Sequence, residues 1–267
     1  MAWATPLLGL LVGLVLALTG AGGAILAVPL LLFGLHLSVA QAAPISLLTV
    51  ALAAGVGAAL ALRARTLRYR AAGVMAAAGL AMAPLGQWLA HRLPERPLTV
   101  LFAAVLAIAA SRTLLQANRE LRGEDAARPL ATPCRRDPAT GRLRWTGRCA
   151  GVLVLTGGLT GLLSGLLGVG GGFVIVPALL LLTDLTMQGV VATSMGVIAL
   201  VSMGAAGFAA AQGHVAWEVA APFAAGAVGG LLAGRLWAGH LRGPRLQQGF
   251  ALVSLCVSGA LVLRALT

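Results

Sequence analysis

Four glycines stand in five positions at Gly168, Gly170, Gly171 and Gly172, and Pro177 follows inside a run otherwise built for burial. Such a run can do one kind of chemistry without a reactive side chain. Glycine is the poorest helix former after proline, so "GVGGG" weakens a helix where it sits. Pro177 biases Val176 away from helical geometry and removes a backbone donor. A half-helix beginning after the glycines offers bare N–H groups and a partial positive charge, which together suit an anion. The stretch "LTGAGGAILAVPLLL", Leu18 to Leu32, repeats the pattern earlier. Gly20, Pro29, Gly168 and Pro177 are therefore expected to break helices. Gly22, Gly23, Gly170, Gly171 and Gly172 are expected to present N–H groups at close approach, where a side chain would obstruct. Ser46, Thr49, Thr193 and Ser194, near the starts of the segments that follow, are candidate hydroxyl donors, although Ser and Thr in membranes also bond their own helix. Gln41 and Gln188 suit the interface.

Other chemistries find little support. A catalytic site needs a nucleophile, an acid pair or a metal cluster away from the segment ends, and the sequence supplies none. Asp184, Glu218, His36, His91, His214 and His240 all fall at segment ends, and Arg112 is placed to snorkel outward. An enzyme, a bound metal, a cofactor and a proton relay are therefore not expected.

The elements that must position the glycines are membrane segments. Hydrophobic residues make up 59% of the chain and charged residues 10%, far from soluble averages. Regular alternation is absent, which argues against a barrel. The opening "MAWATPLLGL" lacks the marks of a cleaved signal and reads as the first membrane element. Shifting the chain by 148 residues lays Gly9 on Gly157, Gly13 on Gly161, Gly20 on Gly168, Gly22 on Gly170, Gly23 on Gly171, Pro29 on Pro177 and Ser46 on Ser194. Two homologous halves follow, 1–117 and 150–267, as in many secondary transporters. Each holds four apolar segments: 5–35, 39–62, 71–90 and 98–117, then 150–182, 188–211, 217–238 and 245–266. The first of each set is too long, because 33 residues of helix span about 50 Å. A glycine-broken segment, re-entrant or discontinuous, followed by three transmembrane helices resolves the excess. The broken backbone must then line the bundle interior or a wet cavity.

The charge is arginine alone, 19 residues against seven acids, and it clusters in "RARTLRYR" and in the linker 118–149. That bias suits cytoplasmic loops better than nucleic acid. With the linker cytoplasmic, parallel halves leave Arg92, Arg96, Arg235, Arg242 and Arg245 outside. Inverted halves leave Arg92, Arg96 and Arg264, so inversion is favoured. Cys134 and Cys149, in or beside the linker, are expected to stay reduced there.

On the two glycine-rich, proline-ended segments, the small polar stretches "AAPISLL" and "VATSMGV" after them, and the arginine-rich linker, the chain resembles the TauE/SafE family of membrane permeases. The resemblance spans essentially the whole chain. It implies an all-α, multi-pass protein of a bacterial inner membrane that transports small anions such as sulfite or organosulfonates, commonly outward. The partners so implied are a small anionic substrate and the lipid bilayer, with a second copy of the chain as a candidate. The first motif departs from the second at Ala21 against Val169, so the halves can contribute unequally. An anion channel using the same site and a membrane assembly factor remain as alternatives.

Overall fold

In a computed structural model, residues 4–19, 23–122, 133–134, 145–213, 215–241 and 244–266 are described. They form ten helices and no strand: α1 (Ala4–Thr19), α2 (Gly23–Gly34), α3 (Val39–Arg63), α4 (Tyr69–Arg92), α5 (Glu95–Leu121), α6 (Gly147–Leu167), α7 (Gly172–Leu182), α8 (Met187–Ala211), α9 (Trp217–Leu241) and α10 (Pro244–Leu266). Among the described residues six helices, α3, α4, α5, α6, α8 and α9, are long and apolar enough to cross a hydrocarbon core. Side-chain size is arranged for lipid. Leu7, Ile108, Leu155 and Leu236 face outward, while the interior is rich in Ala, Gly, Ser and Thr. With no water to drive helices together, such interiors gain their stability from close backbone approach.

That approach is visible at the glycines. A Cβ on Gly9 would lie 2.0 Å from the Phe223 carbonyl oxygen, and one on Gly157 would lie 2.3 Å from that of Met75. Gly13 meets the Ala227 carbonyl at 1.8 Å and Gly161 that of Gly79 at 2.0 Å. These two pairs of contacts are related by the 148-residue shift on both partners. They run α1 alongside α9 and α6 alongside α4. Helix bounds recur with the same shift: Val39–Arg63 maps onto Met187–Ala211, and Tyr69 onto Trp217.

Helix direction follows from cross-contacts. Gly57 packs on Met195, whereas Val50, earlier on α3, shares Gly170 with Ser202, later on α8, so α3 and α8 are antiparallel. Gln248 Nε2 donates to Asn118 Oδ1 and Ser258 Oγ donates to the Ala103 carbonyl at 2.8 Å, which makes α5 and α10 antiparallel too. The short α2 folds back on α1. Gly23 packs on the backbone of Leu16 and Val12, while Gly34 meets the Leu8 side chain.

Two expectations need correction. Pro29 and Pro177 lie inside α2 and α7, and the helices continue through them. Each withholds one donor from its helix, which a buried membrane helix tolerates. Cys134 and Cys149 form a disulfide rather than staying reduced. The Cys134 N–H bonds the Leu182 carbonyl at 3.1 Å, and this fixes the cysteine beside the first turn of α6, with a Cα separation of 4.9 Å to Cys149. That separation suits a disulfide. The start of α6 and the end of α7 therefore lie together at one end of the bundle. Arg63, Arg65, Arg68, Arg70, Arg119, Arg122 and Arg148 gather at that end, while Arg92 and Arg96 stand at the other.

Candidate functional site

The second glycine run makes the turn between α6 and α7. Gly168 caps α6 in the left-handed region at φ 71°, its N–H bonding the Ser164 carbonyl at 2.9 Å. Gly170 and Gly171 follow at φ 71° and 68°. Backbone of that hand costs an ordinary L-residue roughly 1–2 kcal/mol, so glycine is required. Gly171 is the N-cap of α7 and lends it no side-chain bond. By contrast, Ser38 caps α3, Thr146 caps α6 and Thr186 caps α8 through their hydroxyls. Val174 and Ile175 already donate to the Gly171 carbonyl, which leaves the N–H groups of Gly172 and Phe173 ahead of the ladder.

The turn sits deep. A Cβ on Gly170 would lie 2.9 Å from both Ser202 Oγ and Val50 Cγ1 and 3.4 Å from Ile198. Val50 and Ile198 are each the twelfth residue of a 25-residue helix, so the turn lies level with the middles of α3 and α8. Gly168 packs on Ala43 and Gly171 on Thr160. Ala43, Ser46 and Val50 occupy one face of α3, at i, i+3 and i+7. Ser46, between two residues that touch the turn, is thereby directed toward it. Thr160 and Ser164 share a face of α6 that leads into Gly168.

Four hydroxyls around this turn, those of Ser46, Thr160, Ser164 and Ser202, have no hydrogen-bond partner, and all four residues are 0% exposed. A buried hydroxyl left unsatisfied costs about 1–3 kcal/mol, so the four concentrate roughly 4–12 kcal/mol of unmet demand here. Unpartnered hydroxyls on the helices around an uncapped helix start are donors that an oxyanion there can use.

The expected site residues separate accordingly. Gly170, Gly171, Gly172 and Ser46 come together at the turn. Thr49 donates to the Ile45 carbonyl at 2.8 Å, Thr193 to that of Gly189 at 2.6 Å and Ser194 to that of Val191 at 2.9 Å, so these three serve their own helices. Gln41 completes a capping box with Ser38. Gly23 packs α2 on α1. Gly20 and Gly22 lie outside the described residues. Thr160, Ser164 and Ser202 were missed. The spacing of Thr160, Ser164 and Gly168, four residues apart along one helix face, is the signal that would have found the first two.

Comparison with known proteins follows the same line. The family model described as sulfite exporter TauE/SafE matches residues 6–261. A "Probable membrane transporter protein" of Xylella fastidiosa (strain Temecula1 / ATCC 700964) is 31% identical over 261 residues, covering 94% of this chain and 90% of that protein. No solved structure matches the chain.

Proposed function

We propose that this chain, which belongs to the sulfite exporter TauE/SafE family, is a secondary transporter that exports small sulfur-containing oxyanions, sulfite or organosulfonates, across a bacterial inner membrane. The observation that carries the site is the uncapped start of α7 surrounded by four buried hydroxyls without partners. A helix N-terminus stabilises negative charge and disfavours cations, and hydroxyls can donate to the same anion. Broken helices near the middle of a bundle are how several transporter folds hold their substrates.

The carrier mechanism has a matching scaffold. Residues 1–117 and 150–267 form two inverted repeats, joined by the linker 118–149. Supporting this are the contacts and helix bounds that recur at one shift, and the antiparallel courses of α3 with α8 and of α5 with α10. Each repeat opens with a re-entrant pair, α1–α2 or α6–α7, that enters and leaves on one side, and α6–α7 places its glycine turn inside. The arginine-rich end faces the cytoplasm, in keeping with the positive-inside bias. Rocking one repeat against the other would expose the turn to each side in alternation.

The test is ligand-dependent stabilisation of the purified protein in detergent. Sulfite and methanesulfonate should raise the melting temperature, and potassium at matched ionic strength and glucose should not. Stabilisation by a cation or a neutral solute, with no response to any oxyanion, would contradict the assignment.

A further inference from the structure

We propose that the chain holds a single anion site, at the turn between α6 and α7, that selects monoanionic oxyanions over dianions, and that the start of α2 with the helices beside it is a dry counterpart. This rests on the anion-transport function proposed above and narrows its substrate class.

The 148-residue shift allows the residues around this turn to be compared with their equivalents in the first part of the chain. Thr160, Ser164 and Ser202 surround the turn. Their equivalents are Val12, Leu16 and Ala54, which are 1%, 0% and 0% exposed and form part of the apolar core. Gly171 packs on the methyl and carbonyl of Thr160, and the equivalent Gly23 packs on the backbone of Val12 and Leu16, whose side chains carry no hydroxyl. Ser46 has no partner, but its equivalent Ser194 spends its hydroxyl on the Val191 carbonyl. Ala24 stands where the second run has Gly172. Three residues that carry hydroxyls beside the second turn thus have buried hydrocarbon equivalents. The fourth, Ser46, comes to the second turn from the first half, so both halves build one site rather than one site each.

The charge of the ligand follows from the donors. Among the described residues every buried polar side chain is a serine, a threonine or a glutamine. Arg68 has a buried Nε without a partner, but its backbone N–H is fixed to Thr193, nine residues before Ser202, or about 13 Å along α8. It lies toward the arginine-rich end, where it attracts anions, and not at the turn. The solvation lost on burial scales with the square of the charge, so a dianion loses roughly four times what a monoanion loses. The donors named at the turn, hydroxyls and amides, compensate the smaller loss far better than the larger.

Calorimetric titration of the full chain in detergent tests this, with methanesulfonate as monoanion and sulfate as dianion. The expected result is one methanesulfonate per chain, bound roughly tenfold or more tighter than sulfate. Ser202→Ala and Thr160→Val should each weaken methanesulfonate about 10- to 100-fold, the loss of one hydrogen bond to a charged group. Both should melt no lower than the parent, since each removes a buried hydroxyl that had no partner. Ala54→Ser, at the equivalent of Ser202, should leave the affinity unchanged. Two methanesulfonates per chain, tighter binding of sulfate, or unchanged affinity in both hydroxyl variants would overturn the single monoanion site while leaving anion transport standing. Failure of methanesulfonate, sulfate and sulfite alike to bind would remove the functional assignment itself.

Discussion

Replacing Gly170 with alanine separates three effects that glycine can have in this protein, provided two controls accompany it. Gly213, at φ 74° with nothing within 4 Å of a built Cβ, isolates backbone strain, which costs about 1–2 kcal/mol for alanine. Gly161 isolates close packing. Its Cβ would lie 2.0 Å from the Gly79 carbonyl oxygen, and relief requires α4 and α6 to separate, at roughly 1–3 kcal/mol. Gly170 has the strain of Gly213, and its Cβ would meet the side chains of Ser202 and Val50 at 2.9 Å, where small movements suffice. Gly170→Ala should therefore destabilise by about 1–3 kcal/mol, between the two controls or near them. Its distinct mark is on binding, because the methyl crowds Ser202 Oγ, one of the proposed donors, at 2.9 Å. Denaturation in detergent gives the stabilities, and titration with methanesulfonate gives the affinities. We expect a loss of affinity of tenfold or more, on the order of 1.4 kcal/mol, for Gly170→Ala alone. If Gly170→Ala binds like Gly213→Ala, the turn serves chain reversal and packing only.

Three further outcomes follow from other parts of the structure. Cutting the Cys134–Cys149 disulfide with a reductant, or by Cys134→Ser, opens a loop of sequence separation 15 and should lower stability by about 3 kcal/mol, read from the melting curve. An unchanged curve would mean that the bond contributes nothing. Gln87 is buried on α4 and donates to the Ala205 carbonyl on α8 at 2.7 Å, so Gln87→Leu should cost about 1–3 kcal/mol while the methanesulfonate affinity holds. Near neutral pH sulfite is a mixture of bisulfite and the dianion, so its apparent affinity should rise as the pH falls through this range while that of methanesulfonate stays level. A fall in sulfite affinity on acidification would contradict the preference for monoanions.

Much of the scaffold was legible in the sequence because glycine and proline keep register where Ala and Leu do not. The shift that aligns Gly9 with Gly157 also relates their packing partners, Phe223 and Met75. The run Gly168–Gly172 stands between the end of α6 and the start of α7 with three left-handed glycines, a conformation that is a local property of glycine. The prolines misled because a single missing donor is cheap inside a bundle, and α7 runs through Pro177. The hydroxyls were harder. Thr49, Thr193 and Ser194 have the composition of ligands, yet whether a hydroxyl turns to its own helix carbonyl or into a cavity depends on rotamer and neighbours. Ser202 becomes part of the site only because α8 crosses the turn, a contact no local pattern announces. The disulfide was missed for a related reason. It depends on Cys134 being held by Leu182 at the end of α7, far away in sequence.

Counterflow in proteoliposomes tests the transport function most directly. Vesicles loaded with unlabelled sulfite and diluted into trace labelled sulfite should accumulate label transiently when they contain the parent protein, and far less with Ser202→Ala. External methanesulfonate should compete, and potassium at equal ionic strength should not. Label that equilibrates without a transient, at a rate indifferent to the internal anion, would identify a channel. Absence of any protein-dependent sulfite movement would contradict anion transport by this chain.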